Sequence, residues 1–147
     1  MRSWGAIALA GLAVAGCGGG GHRGEEPLVV YHREYGGIVG GTADLTVRPD
    51  GTASVTQGFG TNLCGPRISH VPAGQVTRLR RLLARARTQR PRRRVVHFSE
   101  SPGVRIRSGG VRLEFVGVLI PRKVFPATVL LDRLITARRP PGCRAIP

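Results

Sequence analysis

Acidic residues are scarce in this chain: eight Asp and Glu stand against 23 Lys and Arg, giving a formal charge of +15. The acids are scattered from Glu25 to Asp132, and no two of them are spaced as an acid and base pair. Other catalytic and binding signatures are missing as well. There is no His-Glu-x-x-His, no Gly-x-Ser-x-Gly and no phosphate-binding loop. His22, His32, His70 and His97 include no pair at i, i+4 and come with no paired carboxylate ligand, which argues against a metal site. An enzymatic reading would have to gather Cys64, His70 and His97 into one pocket, and the sequence gives no reason for that. We therefore expect no enzyme, no cofactor and no metal.

Long apolar runs are also lacking. Crossing a bilayer takes roughly 20 consecutive apolar residues, and the longer apolar stretches after the first thirty positions are cut by arginine. What the sequence does have is a shorter run over residues 6–15, preceded by Arg2 and followed by Val14-Ala15-Gly16-Cys17. A positive start, an apolar segment of about 7 to 15 residues and small residues at a cleavage point make a secretory signal. With cysteine next in line, this arrangement resembles the bacterial lipobox. The resemblance implies cleavage between Gly16 and Cys17, acylation of Cys17, and an exported product held on the extracytoplasmic face of a membrane. Two or more acyl chains, palmitate among them, anchor stably where one does not. The alternative is an ordinary signal peptide with an incidental cysteine. Gly18 is not an aspartate-type inner-membrane retention signal, which favours the outer membrane in a cell that has two.

The expected organisation is a signal peptide (1–16), a lipidated glycine-rich tether (17–27) and one domain (28–147). Residues 18–21 are all glycine, which is costly to order and has nothing to bury. The remainder suffices for one modest core, not two. Once Cys17 carries lipid, Cys64 and Cys143 remain. An even remainder outside the cytoplasm points to a bridge, which would contribute about 4 kcal/mol in the chain-entropy picture; two free thiols are the alternative.

All but Lys123 of the basic residues are arginine, as a GC-rich genome would produce. In a cytoplasmic protein such charge would suggest nucleic acid. In an exported one it meets anionic lipid, acidic wall polymer or protein, and no nucleic acid is expected. Arg78, Arg81 and Arg85 fall on one helical face, followed by the cluster Arg92, Arg93 and Arg94. They read either as a solvated face or as a surface held against anionic lipid, at about 1 kcal/mol per charge.

Along the chain, residues 28–35 form a first strand, and 43–47 and 52–57 alternate about Pro49-Asp50-Gly51 as a hairpin. Residues 58–69, with glycine, asparagine, proline and Cys64, read as loop. Val76, Leu79, Leu83 and Ala86 recur at helical spacing. A short strand at 95–98 is possible. A second hairpin turns at Ser108-Gly109-Gly110, and Pro126 begins a helix whose stripe is Ala127, Leu130, Leu131, Leu134 and Ile135. Strands, helix, strands, helix give an α+β two-layer domain of antiparallel hairpins packed on two helices.

Val29-Val30-Tyr31, Gly36-Gly37-Ile38-Val39-Gly40 and Leu45-Thr46-Val47 resemble the opening of the emfourin family, small inhibitors of thermolysin-like metalloproteases typified by the inhibitor of protealysin. The later helix, hairpin and closing helix follow in that family's order. The resemblance implies a non-enzymatic binding domain with a protease as partner. It assigns no inhibitory residue, and this chain departs from it in its basic charge, its anchor and its two later cysteines. The rival expectation is a structural lipoprotein associated with wall polymer or anionic lipid.

Overall fold

A computed structural model describes residues 25–37, 40–89, 102–116 and 119–143. The signal, most of the tether, the cluster Arg92 to Arg94, the possible strand at 95–98, His22 and His97 lie outside them. The described residues form an α+β two-layer domain. Six antiparallel strands stand in the order β4-β3-β2-β1-β5-β6: β1 (Val29–Glu34), β2 (Gly41–Val47), β3 (Thr52–Phe59), β4 (Asn62–His70), β5 (Gly103–Ser108) and β6 (Val111–Val116). The helices are α1 (Ala73–Arg87), between β4 and β5, and α2 (Phe125–Ala137), after β6.

Strand periodicity builds the core. Pairing aligns Val55, Leu45, Tyr31, Ile106 and Leu113 in one row from β3 to β6. All five are buried. Because side chains alternate across a sheet, Val30, His32, Asp44, Thr46, Arg105 and Arg107 occupy the opposite, open face. Val76, Leu79, Leu83 and Ala86 are the buried residues of α1, and α2 buries Ala127, Thr128, Leu131, Leu134 and Ile135 against the same core. Leu130, expected in that stripe, is half-buried, and Thr128 goes inside by returning its hydroxyl to the Phe125 carbonyl at 2.8 Å. Tyr31 links the layers: its hydroxyl donates to Asp132 Oδ1 of α2 at 2.7 Å.

The turns follow their residues. Gly51 takes φ +90° and Asp50 accepts from the Thr52 N–H at 2.8 Å, closing the β2–β3 hairpin. Gly109 and Gly110 both have positive φ, as the tight β5–β6 turn requires. Ser108 anchors the start of the domain to that turn, its Oγ donating to the Leu28 carbonyl at 2.7 Å.

One expectation is overturned. Residues 58–69 are not a loop: after a turn with Gly60 at φ +59°, residues 62–70 return as the longest strand, β4, paired along β3 with an irregularity between Val55 and Gln57. Its glycine and proline, which argue against a central strand, are admissible because β4 lies at the sheet edge. Cys64 therefore sits on a strand.

Candidate functional site

The open sheet face carries charges of both signs. The open face of the sheet carries Glu34, Asp44 and Glu114, joined in one polar network. His32 stands between Asp44 and Glu34, with ring nitrogens 2.7 Å and 3.2 Å from their carboxylates. Arg105 reaches Glu34 through Nη2 at 2.7 Å and Glu114 through Nε at 3.2 Å, and Arg112 follows at 3.5 Å. These groups are partly solvated, and exposed pairs of this kind contribute at most about 1 kcal/mol each.

The described helix layer carries almost only cations. Among the described residues of α1 and of 119–143, the sole acid is Asp132, and it is engaged by Tyr31. Burial pushes the Asp132 carboxyl above its usual range, against the lowering effects of the Tyr31 hydroxyl and the nearby Arg33. Burial, reinforced by Asp132, likewise pushes the Tyr31 phenol far up. Around this hydrogen-bonded pair the layer presents cations. Arg78, Arg81 and Arg85 are exposed on the side of α1 opposite its buried stripe, in agreement with their helical spacing. Arg122 and Lys123 are exposed just before α2.

These last two were not singled out by sequence reasoning, because they lie outside any periodic element. With Arg85, Leu82, Ala84, Thr88 and Pro126 they line a cleft of about 540 Å³ between the C-terminal half of α1 and the start of α2. Only the packing of the two helices reveals that they share a site with Arg85.

Cys64 and Cys143 are bonded, with Cα atoms 5.8 Å apart and a sequence separation of 79. The same region is tied by Arg67, whose Nη1 donates to the Arg139 carbonyl at 2.9 Å, and by Arg138, whose Nη2 donates to the His70 carbonyl at 3.1 Å. The segment after α2 is thus strapped along edge strand β4. The Cys64 thiol is not free to act as a nucleophile, and among the described residues no three His, Cys, Asp or Glu side chains gather as metal ligands. No described helix is long and apolar enough to cross a membrane.

No family model and no curated protein matches the chain.

Proposed function

We propose that this chain is an exported lipoprotein, cut after Gly16 and acylated on Cys17, whose single non-enzymatic domain binds at the cell envelope. The observation that carries the reading is the Cys64–Cys143 bridge, the state expected outside the cytoplasm, where disulfides persist. It joins the lipobox-like sequence, which routes the chain to the same place. The basic helix layer then faces an envelope rich in anionic lipid, acidic polymer and protein.

The test is intact mass of the protein taken from its own host's membranes, measured before and after reduction with alkylation. The expected result is a chain starting at Cys17 with added acyl mass, whose Cys64 and Cys143 accept alkyl groups only once reduced. An unprocessed chain with free thiols overturns the reading and restores cytoplasmic, nucleic-acid interpretations of the charge.

The named partner under this proposal is a thermolysin-like metalloprotease. It rests on the Gly-Gly segment between the first two strands and on the element order. Stoichiometric protein is expected to slow such a protease without being degraded; full residual protease activity removes that partner. The competing module, one associated with wall polymer or anionic lipid, rests on the exposed Arg78, Arg81 and Arg85. It predicts salt-dependent binding with no effect on the protease.

A further inference from the structure

We infer that the α1–α2 cleft is an anionic phospholipid site, and that the protein rests its α2 N-terminal corner on the membrane that anchors it. This rests on the lipoprotein reading for the presence of that membrane and goes beyond it in assigning the contact residues.

Three independent features meet at this corner. Arg85, Arg122 and Lys123 converge on a cleft with Leu82 and Pro126 in its wall. A phosphate placed there would find cations from two elements and, among the described residues, no carboxylate in the lining or in the first turn of α2. Next to the cleft, Phe125 is 55% exposed, and Leu119 on the approach to the same turn is 75% exposed. The exposure of Phe125 is built in: the Val124 and Phe125 N–H groups both bond the Pro121 carbonyl, at 2.8 and 2.9 Å, a tight turn that buries Val124 and leaves Phe125 outside. Apolar side chains flanked by arginine and lysine match the depth profile of a bilayer interface, with rings at the acyl boundary and cations at the phosphates.

The third feature is where the chain enters the domain. Leu28 is bonded to Ser108. In the turn beside it, Gly109 lies directly against the guanidinium of Arg87, the last residue of α1. The lipid-bearing segment therefore joins the domain at the end of α1 that lines the cleft. A chain covering residues 17–27 spans at most about 40 Å when extended. Contact between the cleft and the anchoring bilayer is within that reach, and a tethered surface meets its lipid at high effective concentration. An acidic protein would use the same cations but gives no role to the exposed Phe125 and Leu119.

The experiment uses full-length protein carrying Trp4→Phe and Phe125→Trp. Since Trp4 is the only tryptophan, position 125 then reports alone whether or not the signal is removed. The protein is reconstituted into vesicles of phosphatidylcholine, with or without phosphatidylglycerol. The expected result is blue-shifted emission, quenched by brominated acyl chains, in the anionic vesicles only, and reversed by salt. Adding Arg122→Gln and Lys123→Gln should weaken this state roughly thirtyfold, two basic residues' share of attraction to an anionic surface, with thermal unfolding unchanged. Water-like emission in both vesicle types overturns the inference, as does equal insertion in both. Reversal by inorganic phosphate, matched to the lipid phosphate concentration, overturns it in favour of a free phosphate ligand. Intact mass of the same preparation reports acylation separately. An unacylated chain is simply added to the vesicles from solution and read in the same way, so failure of the lipoprotein reading and failure of the cleft remain distinct.

Discussion

Asp132 is a carboxyl held by a tyrosine in a cationic helix layer, and burial opposes its ionisation, which sets a pH signature. Its carboxyl is raised above 3.8 in the folded protein, so over the window from 3.8 up to the folded value the native state holds a proton that the unfolded state has released. Stability falls as pH rises through that window and is flat above it. Asp132→Asn keeps an acceptor for the Tyr31 hydroxyl and cannot ionise. It is expected to be more stable than the parent at neutral pH, with urea midpoints converging below pH 3.8; a variant no more stable at neutral pH contradicts the account. Gly51 gives a second prediction at this scale. It sits at φ +90°, and a Cβ there would lie 2.7 Å from the Val71 carbonyl oxygen. Gly51→Ala should therefore lose about 1 to 3 kcal/mol in equilibrium unfolding, whereas alanine at an unconstrained loop glycine stabilises.

Helix α1 shows how far an element can be read before it is seen. The spacing of Val76, Leu79, Leu83 and Ala86 dictates a buried stripe, and those four are the buried residues of the helix. Leu79→Ala should cost about 2 to 5 kcal/mol, because a fully buried leucine leaves a cavity. Arg78→Gln with Arg81→Gln should change stability by no more than about 0.5 kcal/mol per site, while reducing salt-sensitive retention on anionic vesicles if the helix layer contributes to docking. Strand β4 is the counterexample. Gly60, Gly65 and Pro66 signal a loop when the sequence is read alone, and the strand, with no buried residue, shows no alternation to set against them. The strand exists because the outer edge of β3 offers backbone partners on both sides of the irregularity at Val55 and Gln57. Edge pairing of this kind is a property of the sheet, and no window of residues contains it.

For the whole molecule, the cysteine bridge fixes the last described segment to the far edge of the sheet. A Cys64→Ser, Cys143→Ser double variant, or the parent under reductant, should lose about 4 kcal/mol of unfolding free energy. The mutations and the reductant should not add, since both remove the same constraint. An unfolding midpoint indifferent to reductant would place the stabilisation elsewhere, in the Arg67 and Arg138 ties.

The sequence by itself determined the class of fold, two hairpins, the stripe of α1, most of the stripe of α2 and the pairing partners left over for a bridge. Each depends on periodicity, turn chemistry or parity, and these act over a few residues or a simple count. The tertiary structure alone decided that β1 lies between β2 and β5, that 62–70 is a strand, and that three acids are joined with arginine on the open sheet face while the described helix layer keeps almost only cations. It also brought Arg122 and Lys123 to Arg85. These are contacts between residues distant in sequence, fixed by which faces must be buried together, and no local pattern in the sequence encodes them.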